Sequence, residues 1–284
     1  MLHIRRATPE DASRCGQICY EAFSKVNRDH GFPPDIPSNE AGIGLISTLF
    51  SHPGFYCVLA EVDGLIAGSN CMDERCTIAG IGPITVDPGV QNRGVGRKLM
   101  DAVLLRARER SSAGVRLVQA AFHNRSLSLY TTLGFDIREP LSVMQGPPIR
   151  KNVDGCTVRP ATAADLADCN RLCSKVHGHD RGGDLSDAIK LGSAVVTERQ
   201  GRITAYASSL AFFGHAVGET NLDLEALISA ADGFHGPGFF VPSRNADLLR
   251  WCLANGLRIV EPMTLMTMGL YNEPAGAYLP SILF

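Results

Sequence analysis

The chain has 284 residues, of which 45% are hydrophobic and 20% charged, a composition typical of a soluble globular protein and a length sufficient for two domains. Its formal net charge of −2 argues against bulk electrostatic binding to nucleic acid or to an anionic membrane. No apolar run approaches the roughly 20 residues needed to span a bilayer, and the N-terminal segment lacks the layout of a signal peptide, so we expect a cytoplasmic protein.

The nine cysteines are consistent with a reducing compartment. They include no Cys-x-x-Cys pair, and the histidines and cysteines do not cluster as zinc ligands do, so we expect no bound metal. Cys15 and Cys19 are four residues apart and share a helical face, as do Cys169 and Cys173. We interpret all four as small core residues; a redox role is the alternative.

Apolar periodicity and turn residues predict alternating helices and strands along the first half of the chain. Asp63-Gly64 lies between two strand-like segments and is a good hairpin turn. The mixture predicts an α/β fold with a mixed sheet (α+β). In chain order the predicted elements are a helix at 10–26, an irregular, turn-rich segment at 27–44, strands at Phe55–Glu61, Leu65–Met72 and Thr77–Val86, a helix at Val95–Arg110, a strand at Val115–Phe122 and a short helix at Ser126–Leu133.

An internal repeat indicates two copies of one structural unit. Residues 4–19 and 158–173 each describe a short strand, a threonine that can cap a helix, and an acidic first turn. The ends of the two halves also correspond, because Leu133–Pro140 is similar to Asn255–Pro262. The identical residues at a constant spacing of 154 are Arg5/Arg159, Ala7/Ala161, Thr8/Thr162, Asp11/Asp165, Cys15/Cys169 and Cys19/Cys173.

We therefore predict two tandem α/β units. Glycine and proline cluster with few apolar residues in Gln145–Cys156, which places the join there. The predicted domains are residues 1–147 and residues 153–284. The apolar C-terminal segment Tyr278–Phe284 is expected to pack into a groove between the units, because a free end usually frays unless it is docked.

The segment most informative about function is Gln91–Gly96 (QNRGVG), which follows a strand ending in Val-Asp-Pro and opens a helix. Glycines let successive backbone N–H groups turn toward one point, and a helix N-terminus adds unsatisfied N–H groups and a positive dipole end. Arg93, Arg97 and Lys98 add positive charge. The pattern is neither a Rossmann nor a P-loop motif. It predicts a socket for a diphosphate, and the alternative is an ordinary strand-to-helix turn.

This Gln-x-x-Gly-x-Gly pattern resembles the acyl-CoA signature of the GNAT superfamily of N-acetyltransferases. The downstream segment Asn124–Phe135 (NRSLSLYTTLGF) resembles the second conserved segment of that family, in the right order and at a similar separation. The resemblance covers residues 3–145. It implies that the first half binds acetyl-CoA as co-substrate and transfers the acetyl group to an amine.

The resemblance also implies individual roles. Backbone groups of Thr85 and Val86 would pair with the amides of the pantetheine arm, and Asn124 would contact the same arm. Tyr130 would protonate the departing thiolate and is the predicted catalytic residue; the alternative is a half-buried aromatic residue on a short helix. The backbone N–H groups that would hold the diphosphate belong to Gln91, Asn92, Arg93, Gly94, Val95, Gly96 and Arg97.

The group that removes a proton from the amine is not identified by the sequence. Many GNAT enzymes hold a glutamate on the strand before the phosphate loop, but Thr77–Val86 contains no carboxylate. Asp73 and Glu74 lie at the entrance of this strand, and His123 precedes Asn124. Any of these three, or a chain of water molecules, is a possible base.

The acceptor amine is expected near residues 27–45 and the loop after Phe122. A cationic amine would be matched there by acidic side chains. The polar residues that either contact the amine or belong to a solvated loop are Asp29, His30, Asp35 and Glu40.

The second half has lost both signatures. Residues 215–236 contain no Gln-x-x-Gly-x-Gly, and alignment of Gly134 with Gly256 places Cys252 opposite Tyr130. The second unit therefore resembles a degenerate GNAT copy. We expect it to support the first unit, to shape the acceptor pocket or to mediate formation of a homodimer.

Three functions are compared. The leading prediction is an N-acetyltransferase acting on a primary amine of a small molecule, peptide or protein by direct attack in a ternary complex. The alternatives are a non-catalytic acyl-CoA sensor or regulatory module, and an interaction protein with a vestigial GNAT fold. Tyr130 favours an enzyme, because a sensor needs no thiolate acid, and the intact Gln91–Gly96 segment argues against a vestigial fold. Acetyl-CoA and an amine acceptor are the expected partners, with neither nucleic acid nor a membrane.

Overall fold

The computed structural model describes residues 1–283, which form thirteen strands and eight α-helices; Phe284 lies outside this range. The strands are β1 Leu2–Arg6, β2 Phe55–Val62, β3 Leu65–Asp73, β4 Ile78–Val86, β5 Gly114–Ala120, β6 Asp136–Gln145, β7 Cys156–Pro160, β8 Val195–Arg199, β9 Arg202–Ala207, β10 Ala216–Gly218, β11 Phe239–Pro242, β12 Arg258–Gly269 and β13 Ala277–Leu279. The helices are α1 Ala12–His30, α2 Asn39–Ser51, α3 Val95–Glu109, α4 Asn124–Thr132, α5 Leu166–His177, α6 Gly182–Lys190, α7 Asn221–Ala230 and α8 Ala246–Ala254. No helix of the described range is both long and apolar enough to cross a membrane.

Two sheets organise the chain, and the larger one contains strands from both halves. Its order is β1-β2-β3-β4-β5-β12-β6-β11, and the order of the smaller sheet is β13-β10-β9-β8-β7. Strand β12 of the second half lies between β5 and β6 and is antiparallel to both. The predicted α/β fold with a mixed sheet and two similar units is confirmed. The division at residues 147 and 153 separates the sequence but not the sheet, because the two halves exchange strands at their ends.

The internal repeat is visible as a repeated ion pair. The guanidinium of Arg5 donates two hydrogen bonds of 2.8 Å to the carboxylate of Asp11, and Arg159 makes the same pair of bonds, also 2.8 Å, to Asp165. In both halves the aspartate completes a capping box with the threonine three residues before it. The correspondence inferred from the sequence is therefore also a correspondence of contacts.

The most conspicuous equivalence is between β6 and β12, which pair with each other. The N–H of Ala121 donates to the carbonyl of Pro262 at 3.1 Å, and the N–H of Ser243 donates to the carbonyl of Pro140 at 2.8 Å. Both residue numbers differ by 122 between the two bonds. Strand β12 therefore lies beside the end of β5, and β6 lies beside the end of β11, so the two halves make equivalent contacts here.

Most first-half elements were predicted within a few residues. The Asp63-Gly64 turn has positive φ at both positions, 52° and 81°, as a type I′ hairpin requires. The prediction of an irregular segment at 27–44 is wrong, because α1 extends to His30 and α2 begins at Asn39. Ser38 caps α2 by accepting a hydrogen bond from the N–H of Ala41 at 3.2 Å.

Glycines in α2 obscured this helix in the sequence. The Cβ of an alanine at Gly42 would lie 2.7 Å from the carbonyl oxygen of Gly16 in α1, and a Cβ at Gly16 would lie 2.4 Å from the Cα of Ile43. The two helices therefore cross backbone to backbone, which only glycine permits. A residue that indicates a turn in a local pattern here serves helix packing.

The C-terminal segment Tyr278–Phe284 was predicted to pack between the two units, and its described residues contact both sheets; Phe284 lies outside the described residues. Strand β13 pairs with β10 in the smaller sheet, and the N–H of Ile282 donates to the carbonyl of Phe212 at 2.8 Å. Leu283 is buried with the apolar residues of α1, α2 and β2. Its carbonyl oxygen lies 2.0 Å from the position that a Cβ on Gly80 would occupy, so the segment lies directly against β4.

We expect Gly80→Ala to destabilise the protein by about 1–3 kcal/mol, because neither backbone can yield without disturbing its sheet. Chemical denaturation measures the effect. Gly44→Ala in α2 is the matched control, since its Cβ meets no atom within 4 Å and alanine is the better helix former by about 0.5–1 kcal/mol. An unchanged midpoint for Gly80→Ala would contradict the docking of Leu283.

Candidate active site

The central cavity lies where β4 and β5 separate. The two strands run parallel and pair only from Ile78–Gly80 to Gly114–Arg116. Beyond this point the remainder of β4 and of β5 line opposite walls of a cavity of about 930 Å³. Pro83 in this part of β4 has no N–H to donate to a neighbouring strand. The free backbone edge of β4, including Thr85 and Val86, therefore faces the cavity.

The glycine-rich segment forms one end of this cavity. Gly94 has φ 78° and precedes the first residue of α3, and the first N–H to donate along this turn is that of Lys98, to the carbonyl of Gly94 at 3.1 Å. The N–H groups of Val95, Gly96 and Arg97 precede this bond and have no helical acceptor. They lie at the positive end of a 15-residue helix.

Side chains hold the loop before the helix. The guanidinium of Arg125 donates to the side-chain oxygens of Gln91 at 2.9 Å and Asn92 at 2.8 Å, and the Gln91 amide donates to the carbonyl of Val86 at 3.3 Å. Asn92 has a positive φ of 68°. Sequence reasoning missed Arg125; its place directly after Asn124 in the second conserved segment was the available signal.

Ten of the eleven predicted site residues line this one cavity. Arg93 is the exception; its side chain is exposed, and it does not belong to the lining. The residues brought together are Thr85, Val86, Gln91, Asn92, Gly94, Val95, Gly96, Arg97, Asn124 and Tyr130.

Tyr130 reaches the cavity from α4. Its side chain is 6% exposed, and its ring packs edge-on against Phe135 with centroids 6.2 Å apart. Burial raises the pKa of the Tyr130 phenol well above its usual value. The hydroxyl therefore stays protonated at neutral pH, which is the state that an acid requires.

Unsatisfied polar atoms face the same gap between the strands. The Oγ1 of Thr85 on β4 and the Nε2 of Gln119 on β5 are buried and have no hydrogen-bond partner within residues 1–283. The Oε1 of Gln119 accepts a bond from the hydroxyl of Ser126 at 2.9 Å, which fixes the amide. Buried donors and acceptors without partners cost free energy, so a polar ligand between the strands would stabilise both side chains.

The possible bases differ in their surroundings. The carboxylate of Asp73 accepts two hydrogen bonds from Arg75, at 2.9 and 2.6 Å, and that of Glu74 accepts bonds from Arg106 at 2.8 and 3.2 Å. Neither lines the cavity. His123 does line it, and burial, with the nearby Arg125, lowers the pKa of the His123 imidazole. His123 is therefore neutral at pH 7 and can accept a proton.

Of the polar residues proposed to meet the acceptor, only Asp35 lines the main cavity. Asp29 is exposed and paired with Lys25 at 2.5 Å. Glu40 is exposed in the first turn of α2. His30 is exposed, and its ring lies against Phe122 with centroids 5.2 Å apart. The loop between α1 and α2 thus contributes one carboxylate to the cavity rather than an acidic surface.

Residues 53–137 match the family model described as the acetyltransferase (GNAT) domain. This segment contains the free edge of β4, the N-terminus of α3 and the helix that carries Tyr130. This part of the chain is a GNAT acetyltransferase domain. The predicted resemblance to GNAT enzymes and the predicted acetyltransferase class are both confirmed. No curated protein sequence gives a significant match to the chain.

Two solved structures share the fold of nearly the whole chain. A candidate acetyltransferase from Pyrococcus horikoshii has a TM-score of 0.74 and 20% identity, with 97% of this chain and 94% of that chain covered. A GCN5-related N-acetyltransferase from Sphaerobacter thermophilus has a TM-score of 0.59 and 16% identity, with 96% of both chains covered. The arrangement of both halves in one fold therefore occurs in other proteins.

The second half of the chain contributes directly to the cavity wall. Phe212, Met263 and Ile282 belong to this wall. Sequence reasoning assigned the second half a role in shaping a pocket, but it named none of these residues, because their nearness to β5 depends on the strand exchange. Hydrophobic residues of this kind carry no motif.

The helix start in the second half that corresponds to the glycine-rich segment is occupied by the chain itself. The N–H and hydroxyl of Thr220 donate to the carboxylate of Asp223 at 3.0 and 2.6 Å, and Asp223 also pairs with Arg199 at 2.8 Å. A fully buried carboxylate thus takes the place where an anion would bind. Cys252, opposite Tyr130 in the repeat, is also fully buried.

Proposed function

We propose that the chain transfers an acetyl group from acetyl-CoA to a primary amine by direct attack in a ternary complex. The observation that carries the proposal is the continuity of the cavity: the free N–H groups of α3, the unpaired edge of β4 and Tyr130 all face one space. The N–H groups of α3 can bind a diphosphate, and the edge of β4 can pair with the amides of a pantetheine arm. Tyr130 can protonate a departing thiolate.

The chemistry follows from this arrangement. The neutral amine nitrogen forms a bond to the thioester carbonyl carbon, and the carbon–sulfur bond then breaks. The sulfur takes its proton from the Tyr130 hydroxyl, since an acid near the leaving group lowers the barrier to its departure. The proton that the acylated nitrogen then loses restores the phenol. The amine proton must leave before attack, and His123 is one group of the cavity wall that can accept it.

In this proposal the two halves of the chain have different roles. Residues 1–147 hold the acetyl-CoA groups, and residues 153–284 form a degenerate unit that closes the acceptor side of the cavity. Asp223 places a negative charge in the first turn of α7, which disfavours a second anionic cofactor there. One acetyl-CoA per chain is the expected stoichiometry.

We expect acetyl-CoA to raise the melting temperature in proportion to the logarithm of its concentration above the Kd, because it binds only the folded chain. Arg97→Gln should raise the concentration needed for half of the shift roughly tenfold, the effect of one weakened charge-assisted hydrogen bond. Arg108→Gln removes another exposed arginine of α3 and is the matched control.

A thiol-release assay with a panel of amines then tests transfer itself. Release of CoA that depends on an amine supports the proposal. Stabilisation by acetyl-CoA without release for any small amine or lysine-containing peptide would favour a non-catalytic sensor. The absence of any shift in melting temperature would contradict the cofactor site altogether.

A further inference from the structure

A buried carboxyl group without a cation lies at the acceptor side of the cavity. Glu261 on β12 is 1% exposed, and within residues 1–283 its carboxyl oxygens have no hydrogen-bond partner apart from the carboxyl group of Asp35. Burial, with the nearby Asp35, raises the pKa of Glu261 to about 9. A carboxyl group is rarely kept in such a place without a partner, because its desolvation is costly.

The neighbour of Glu261 is Asp35, which lines the cavity. The two carboxyl groups hydrogen-bond to each other, which requires that one of them carries a proton. Burial raises the pKa of Asp35, while hydrogen bonds from Glu261 and Asn27 oppose this shift. The pair therefore shares one proton and carries one negative charge, and Asp35 is its member that lines the cavity.

The internal repeat allows Glu261 to be compared with an equivalent residue. Glu139 is the counterpart of Glu261, because both precede the prolines that accept the equivalent hydrogen bonds at the ends of β11 and β5. Glu139 is fully buried as well. Its carboxylate is neutralised by the guanidinium of Arg244 at 2.5 Å and accepts a further bond from the hydroxyl of Tyr278 at 3.3 Å. The degenerate unit thus supplies a cation to this position from its own chain.

The first unit has an aromatic residue where the second has that arginine. The spacing of 122 residues that relates Glu139 to Glu261 relates Phe122 to Arg244. Phe122 stacks on Phe32 with ring centroids 4.1 Å apart and an interplanar angle of 11°. The active unit therefore retains the buried carboxyl group, adds Asp35 and lacks the internal cation.

We propose that the Asp35–Glu261 pair binds the positively charged amino group of the acceptor. An ammonium group donates up to three hydrogen bonds and restores the charge balance that Arg244 provides in the second unit. The cavity beside the pair is apolar, with Phe23, Ile36, Phe212 and Met263 in its wall. The acceptor class is therefore a cationic amine that carries an apolar segment. The proposed function is needed only to identify this ligand as the acetyl acceptor; binding of a cationic amine by the pair does not depend on it.

A pair of isosteric probes tests it. Binding of 4-phenylbutylamine and of neutral 4-phenyl-1-butanol is measured by calorimetry on the full chain saturated with CoA, which cannot transfer an acetyl group. We expect the amine to bind at least tenfold more tightly than the alcohol, because charge-assisted hydrogen bonds to a buried carboxylate are replaced by weaker ones.

The double variant Asp35→Asn/Glu261→Gln keeps the shapes of both side chains and removes the charge of the pair. It should reduce the preference for the amine to less than about threefold while leaving the affinity for the alcohol unchanged. Glu21→Gln removes an exposed carboxylate of α1 and is the control for net charge. Its preference should match that of the unmodified chain. If the double variant folds poorly, the comparison of the two probes on the unmodified chain still tests the proposal.

Equal binding of the two probes to the unmodified chain, failure of the amine to bind at millimolar concentration, or an amine preference that persists in the double variant would overturn the proposal. Each of these results would make the pair a structural link between the α1–α2 loop and β12. Stabilisation by acetyl-CoA is measured in the same samples. If it persists while the amine preference is absent, only the acceptor site is wrong and the cofactor site stands.

Discussion

Tyr130→Phe should lower kcat for acetyl transfer by about 10²- to 10⁴-fold, the usual contribution of a general acid, and should change the affinity for acetyl-CoA by less than about twofold. The substitution removes one oxygen atom and retains the ring. Since the ring packs on Phe135 within the core of the first unit, the cavity wall keeps its shape. The loss should therefore appear in the chemical step.

Stability distinguishes this role from a structural one. The Tyr130 side chain is buried, and burial is the only cause of its raised pKa, so no hydrogen bond within residues 1–283 contributes to the shift. Removal of such a hydroxyl should leave the free energy of unfolding unchanged or slightly higher. Tyr20→Phe on α1, outside the cavity lining, is the matched control and should retain full activity.

The pH profile offers an independent check. A tyrosine acts as an acid only while protonated, so activity is lost as the pH rises through its pKa. Because burial raises that pKa above the usual value of 10.0, kcat should not fall on this account below pH 10. Unchanged kcat in Tyr130→Phe, or a large loss of acetyl-CoA affinity, would show that Tyr130 has a different role.

A chain that ends at residue 147 should not form a stable domain, although the sequence pattern places a boundary there. Strand β12, which it lacks, pairs with β5 from Met263 to Gly269 and with β6 along most of its length. Leu265 and Met266 of β12 are fully buried, and each such side chain contributes about 1.5–3 kcal/mol. Their sum, about 3–6 kcal/mol, reaches the lower end of the stability of an ordinary domain, about 5–15 kcal/mol. Two paired strand edges would also be exposed.

Fragment complementation provides the control. Residues 1–150 and 151–284, produced together, are separated within the segment between β6 and β7, so no strand is cut. We expect the two fragments to copurify and to be stabilised by acetyl-CoA, whereas residues 1–147 alone should aggregate or remain unfolded by circular dichroism. A monomeric 1–147 fragment with cooperative unfolding and a cofactor-dependent shift would contradict the structural importance of the exchange.

Local signals in the sequence were sufficient for much of the fold and for the cofactor side of the site. The Asp63-Gly64 turn, the threonine caps, and the glycine-rich segment before α3 depend on contacts between residues close in the chain. Backbone geometry and helix dipoles act over these distances. The family resemblance then related the segments at Gln91 and Asn124 to each other. The hydrogen bonds from Arg125 to Gln91 and Asn92 now connect the same two segments.

The sequence by itself therefore determined the family, the mixed α/β class, the repeat, and the set of residues that gather around the gap between β4 and β5. Only the tertiary structure decided which strands are exchanged, that α2 crosses α1 at Gly16 and Gly42, and that Glu261 of the second half lies beside Asp35 of the first. The physical reason is distance along the chain. Strand pairing and the desolvation of a buried carboxyl group depend on the residues that folding brings near, which no local pattern specifies.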